Sequence, residues 1–199
     1  MKIRYKKAKI NTTTNGMTME KKIDYATKTL ERNIGFINSC DTKTSIVLAI
    51  FGVLLTIIFT SDVSTEFIYI INTAYSTKCC CGVLYLILIS ASIVVLLIGL
   101  KNLICVLIGR IDVKDNNSNL KYDSRIFFLG ITKYKDVIKY RNNFSKMTEQ
   151  EYFNEITSQI FINAKIADVK YQKYNWGLKY LVCGFLTFVV LVLIGIFVY

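Results

Sequence analysis

Histidine and proline are both absent from this 199-residue chain. Without histidine the commonest general base, pH-responsive group and metal ligand is missing, so Ser-His-Asp, Cys-His and HExxH arrangements are excluded. Without proline, long uninterrupted helices are favoured. The six cysteines, Cys40, Cys79, Cys80, Cys81, Cys105 and Cys183, contain no CxxC pair. A zinc site therefore has no scaffold, and no metal is expected. Glycine-rich phosphate loops and convincing carboxylate pairs are missing too. Serines and threonines are plentiful but have no histidine to activate them. The sequence reads as that of a protein that is not an enzyme and carries no cofactor.

What the chain does have is apolar length. Hydrophobic residues make up 53% of it, and the mean hydropathy is +0.39. The excess is gathered into three runs, at 44–60, 82–100 and 180–199, rather than spread as in a soluble core. About 20 residues cross a 30 Å hydrocarbon core, so the first run is near the lower limit and the others suffice. The second continues past Lys101 and Asn102, since Lys101 can snorkel to the interface. Tyr174, Trp176 and Tyr180 form an aromatic belt before the third run, and Tyr199 anchors its far side. A cleavable signal peptide does not fit, because more than 40 polar and basic residues precede the first run.

Charge orients the spans. Residues 1–43 carry ten Lys/Arg, 61–82 carry only Lys78, and 110–179 carry thirteen. The positive-inside rule then places the N-terminus and 101–179 in the cytoplasm, with the short 61–82 loop and the C-terminus outside. The same rule accounts for the net charge of +11, with no need to invoke nucleic acid. Cys79, Cys80 and Cys81 fall in the outer loop. They read as small apolar residues at a membrane boundary, or as residues with a redox or intermolecular disulfide role.

The expected fold is all-α: three transmembrane helices continuous with a small cytoplasmic helical bundle. A mobile basic arm occupies 1–17, and 18–199 form a single unit. Ile23, Ala26, Leu30, Ile34 and Ile37 recur at spacings of 3 and 4, so one helix can run from residue 18 through the first span. Residues 112–123 read as a loop, 124–130 as a compact apolar knot, and the region of Lys133 and Tyr140 as a short helix. Thr148 and Glu151 form a capping box that should open a long helix. Its stripe is Phe153, Ile156, Ile160, Ala164, Ala167, Tyr171, Tyr174 and Leu178, sustained into the third span. No charge lies near a midplane, which argues against ion-coupled transport. Gly99, Gly184, Gly195, Ser90, Ala91 and Ser92 are small enough for close helix packing, although no GxxxG occurs. Asp41 and Lys43, just before the first span, are either an ion pair (with each other or with a nearby basic residue) or a ligand-contacting gate.

The string Asn38-Ser39-Cys40-Asp41-Thr42-Lys43-Thr44-Ser45, opening directly into the first span, resembles the Asp-x-Lys approach of the Pycsar transmembrane effector family. The block Ser124-Arg125-Ile126-Phe127-Phe128-Leu129-Gly130 fits as well. So do Gln159-Ile160-Phe161 and the stretch from Ala164 and Lys165 to Lys170 and Tyr171. The resemblance covers roughly 20–199 and implies a bacterial antiphage effector of the inner membrane. Such effectors are paired with a cyclase that makes cyclic CMP or cyclic UMP, and they impair the membrane to abort infection. It makes Ser124, Arg125, Lys165 and Lys170 candidates for the phosphate, and Phe127, Phe128 or Tyr171 candidates for stacking on the base. A homo-oligomer is implied, because three spans cannot enclose a wide pore. Two alternatives remain open: an effector answering another nucleotide messenger, or an anchor that recruits a partner without a lesion.

Overall fold

The structure is a computed structural model that describes residues 16–76, 80–108 and 124–198. Six helices follow in order: α1 (Met19–Ile58), α2 (Ser61–Ser76), α3 (Cys80–Leu107), α4 (Phe128–Ile131), α5 (Val137–Phe144) and α6 (Glu149–Val198). Among the described residues there is no strand. Three helices, α1, α3 and α6, are long and apolar enough to cross a membrane. Large exposed residues such as Ile50, Val53, Leu84, Ile87, Leu97, Leu186, Val190 and Leu193 cover their outer faces. A soluble chain does not carry that much apolar surface, and lipid covers it here. This is an all-α membrane protein.

The length of α6 follows from its sequence. Thr148 Oγ1 accepts from the Glu151 amide at 3.2 Å, and the Glu151 carboxylate accepts from the Thr148 amide at 3.1 Å. This is the capping box expected there. With no proline downstream, the helix then continues for 50 residues, about 75 Å at 1.5 Å per residue. Likewise α1 starts just after Thr18 and runs 40 residues without a break.

The core is a seam between α6 and the antiparallel α3. On α3 the buried residues are Gly82, Tyr85, Ile89, Ser92, Leu96, Gly99, Leu103 and Val106, an unbroken 3–4 alternation of the coiled-coil kind. Facing them on α6 are Gly177, Leu181, Gly184, Leu191 and Gly195. The glycines permit backbone contact. A Cβ on Gly99 would strike the Leu181 amide nitrogen, one on Gly184 would lie 2.7 Å from Leu96 N, and one on Gly177 would lie 2.9 Å from Leu103 Cδ2. Gly99, Gly184 and Gly195 were expected at this seam. Ser92 is buried in it, whereas Ser90 and Ala91 face outward. The second seam, between α1 and α6, is parallel. Moving toward the membrane, Asn33 Nδ2 donates to Ile160 O at 3.2 Å, Lys170 meets Asp41, and Phe51 meets Phe185 edge-on.

Four local expectations change. Residues 61–76 are the helix α2, not loop, because Phe67, Ile70 and Ala74 share a face that packs against α3 and α6. The short helix of the head starts at Val137, later than residue 133, because the Asp136 carboxylate caps it by accepting from the Ile138 amide at 3.0 Å. In the α1 stripe Asn33 takes the inward position and Ile34 is exposed, since the buried line keeps a 3–4 alternation through Ala26, Leu30, Asn33, Ile37 and Cys40. In α6 the inward line passes through Glu155, Gln159, Ile162 and Lys170, and Ala164 is exposed. Ile156, expected in the stripe, is buried with Ile162, while Glu155 meets the loop returning at residues 124–125 and Lys170 meets Asp41. The 112–123 loop, Cys79, Tyr199 and nearly all of the 1–17 arm lie outside the described residues.

The Lys170 ammonium, 6% exposed, sits 2.6 and 2.7 Å from the two Asp41 oxygens, with Asp41 34% exposed. Asp41→Ala leaves a buried ammonium without its carboxylate. It should destabilise the detergent-solubilised protein by about 2–3 kcal/mol, less than a fully buried pair would lose because Asp41 keeps part of its surface in water. Adding Lys170→Met should recover most of that loss; equal destabilisation in the single and double variants would show that the pair is not coupled. The two kinds of glycine should part in the same thermal melts. Gly99→Ala must push two backbones apart and cost about 1–3 kcal/mol. At Gly35, where a Cβ meets nothing within 4 Å, Ala should add about 0.5–1 kcal/mol of stability.

Candidate functional site

The polar end of the bundle carries a small head, residues 124–147, strapped to the first turns of α6. Its anchor is the Glu155 carboxylate, which is 1% exposed. That carboxylate accepts three hydrogen bonds: from Ser124 Oγ at 3.0 Å, from the Arg125 amide at 2.8 Å and from Arg125 Nε at 2.9 Å. Arg125 Nη2 also stands 3.4 Å from Glu151. A buried carboxylate is tolerated when its lone pairs are filled in this way. The bond to Glu155 holds the Arg125 guanidinium above its ordinary value. The Thr148 amide, with Arg125 behind it, pulls the Glu151 carboxyl below the usual glutamate range. Both groups are charged at neutral pH.

The backbone closes around this anchor. Ser124 Oγ accepts from the Ile126 amide at 3.2 Å, and Tyr140 donates its hydroxyl to Arg125 O at 3.1 Å. Gly130 passes so near Ser124 O that a Cβ there would overlap it, so α4 can fold back only with glycine at that position. Between α4, α5 and α6 this leaves a cavity of about 510 Å³, lined by Ser124, Arg125, Gly130, Lys133, Tyr134, Asn143, Glu151 and Glu155. The size falls in the range of small-molecule sites. The lining brings together cationic donors (Arg125, Lys133), carboxylates (Glu151, Glu155) and neutral polar groups (Asn143, Tyr134), with Arg125 held against both carboxylates. Asn143 Nδ2 donates to the Tyr134 hydroxyl. Such a lining can hold a small anion that also carries a polar ring. Among the described residues no cluster of His, Cys, Asp or Glu could hold a metal.

The residues singled out in the sequence fall into separate places. Ser124 and Arg125 line the cavity. Phe127 and Phe128 pair with each other, ring centroids 4.7 Å apart, and do not line it. Lys165 lies over the ring of Phe161 at 4.6 Å. Lys170 and Asp41 join in the α1–α6 seam, about 22 Å along α6 from Glu155, and Lys43 is exposed with no ion pair among the described residues. Tyr171 is half-buried beside Lys170 in sequence and does not line the cavity. Next to Asp41, burial pushes the Cys40 thiol up, which keeps it protonated. Sequence reasoning missed Glu155, Lys133, Tyr134 and Asn143. The available signal was Glu151 and Glu155 at i and i+4, two carboxylates on one face of a helix otherwise read as apolar.

A family model for the Pycsar effector protein domain matches residues 25–197. The Pycsar effector protein GmPycTM of Gulbenkiania mobilis is 30% identical over 184 residues, covering 83% of this chain and 89% of that protein. No solved structure matches the chain. A match over nearly the whole bundle, from the α1–α6 seam through the head to the last span, means that this chain belongs to the Pycsar effector protein family.

Proposed function

We propose that this protein, an effector of antiphage cyclic-nucleotide signalling, binds cyclic CMP or cyclic UMP in the head cavity and then impairs the bacterial inner membrane, so that the infected cell aborts phage replication. The observation that carries the reading is the direct mechanical link: Glu151 and Glu155, which line the cavity, lie on the same unbroken helix that enters the bilayer. A ligand that prefers one arrangement of Arg125 against these two carboxylates shifts the population of α6 positions. It can shift it only by its difference in affinity for the two arrangements. The positive-inside asymmetry supports a cytoplasmic N-terminus and head and an external C-terminus. The protein acts without catalysis, and several copies assemble to make the lesion, because three spans are too few to surround a pore.

In this arrangement Lys133 and Arg125 take the cyclic phosphate, and Asn143, Tyr134 and Glu151 face the ribose and base. Lys165, Lys170 and Tyr171 serve the bundle instead.

Cells expressing the protein with an active cognate cyclase should depolarise and admit dye, and cells with an inactive cyclase should not. An unchanged potential, with the protein confirmed in the membrane, would instead favour a passive anchor or another messenger. Loss of the charge-assisted contact in Lys133→Ala should weaken nucleotide binding by the detergent-solubilised protein roughly tenfold, with the protein still expressed and folded. Unaltered affinity in that variant would remove Lys133 from the site.

A further inference from the structure

Although α1 as a whole is long enough to cross a membrane, its charge-free stretch is short for a bilayer. From Thr44, just past Lys43, to its end at Ile58 it has 15 residues, about 22 Å against a hydrocarbon core of about 30 Å. Level with it, α6 continues to Val198. The chain turns at Phe59 and Thr60 and comes back as α2. Three contacts fix the depth of α2. The Phe67 ring lies 5.7 Å from that of Phe188. Ile70 and Ala74 are buried with Tyr85, Ile89 and Leu191. A Cβ on Gly195 would lie 2.8 Å from Ile70 Cγ2. Phe188 is near the middle of the apolar run 180–198, and Leu191 and Gly195 lie about 4 and 10 Å beyond it. Hence α2 sits level with acyl chains, not above the bilayer.

A helix at that depth, covered by lipid, should be apolar all round. On α2 the face turned away from Phe67 and Ala74 carries Thr65, Tyr69, Asn72 and Ser76, and Glu66 stands at its margin beside Ile70, all exposed. The Glu66 and Asn72 side chains have no partner among the described residues. A carboxylate facing acyl chains is expensive and draws in water or headgroups. A second copy laid on the same face would not relieve it, because α2 contains no lysine or arginine and the symmetric contact would set carboxylate against carboxylate.

We infer that α2 is a membrane wedge. Its apolar face anchors it at acyl-chain depth, and its polar face holds open a notch of water and inward-drawn headgroups, so the bilayer is locally thinned beside each copy. The short α1 and the polar arc of α2 describe the same thinning from two sides. As the place where the membrane lesion begins, the wedge rests on the function proposed above; as a feature of the resting protein it does not.

The single tryptophan allows a direct test with the full chain in vesicles of phosphatidylethanolamine and phosphatidylglycerol. In a Trp176→Phe background, the adjacent replacements Ile68→Trp and Tyr69→Trp put the fluorophore at one depth on two faces. Aqueous acrylamide should quench the Tyr69→Trp protein several-fold more strongly than the Ile68→Trp protein, and lipid brominated in mid-chain should do the reverse. Strong bromolipid quenching of both, with acrylamide excluded, would overturn the wedge. So would protection of the Tyr69→Trp protein from both quenchers, which would mean that protein covers the face. In cells, Glu66→Leu combined with Asn72→Leu should slow nucleotide-dependent dye entry several-fold while nucleotide binding stays intact, and undiminished entry would sink the lesion role. If the parent protein itself never responds to either nucleotide, the functional reading fails, and the quenching comparison still decides the wedge.

Discussion

At Gly99 the α3 backbone approaches α6 so closely that a single methyl group would meet the Leu181 amide, and Gly184 and Gly177 repeat the approach above and below. Lipid tails are as apolar as leucine, so burial alone gives two spans little reason to associate. Contact area and dispersion must supply it, and both rise steeply as backbones close. The rest of the architecture leans on this seam. It aligns α6 with α3, leaves the other flank of α6 for α1, and sets the pocket of Tyr85, Ile89 and Leu191 in which α2 is seated.

Along α6 the means of cohesion changes with depth. Within the apolar run it is shape. At the boundary it becomes a charge pair, Lys170 with Asp41, where water is scarce enough for the pair to matter but Asp41 keeps part of its solvent. At the far end it becomes a hydrogen-bonded carboxylate, Glu155, that collects a hydroxyl, an amide and a guanidinium from one loop. Each device is suited to the dielectric around it. The polar ones are also those that an anionic ligand can compete for, whereas the glycine seam is indifferent to solutes.

Much of this was legible from residues alone. The spans, the continuity of α1 and α6, the capping box at Thr148 and Glu151 and the close packing of Gly99, Gly184 and Gly195, though not of Gly177, followed from periodicity, hydropathy and residue size, which act over a few turns. What escaped depended on contacts between distant segments. Lys170 looked like a free phosphate ligand because its partner is 129 positions away. Glu155 went unnoticed because the loop that buries it returns from residue 124. Asn33 displaced Ile34 because the inward position was set by the neighbouring helix rather than by the apolar count. The segment that became α2 was passed over as loop because its polar residues dilute the signal that reveals a span.

The length of the stalk has an electrostatic consequence. From Glu155 to Lys170, whose pair with Asp41 marks the boundary, α6 has 15 residues of rise, about 22 Å. Screening in physiological salt extinguishes the field of an anionic lipid surface over about 8 Å. The head therefore samples bulk solution, and a negatively charged solute reaches its cavity at the concentration it has in bulk rather than at the depleted concentration beside charged headgroups. A cavity built flush with the membrane would face that depletion; here the distance removes it.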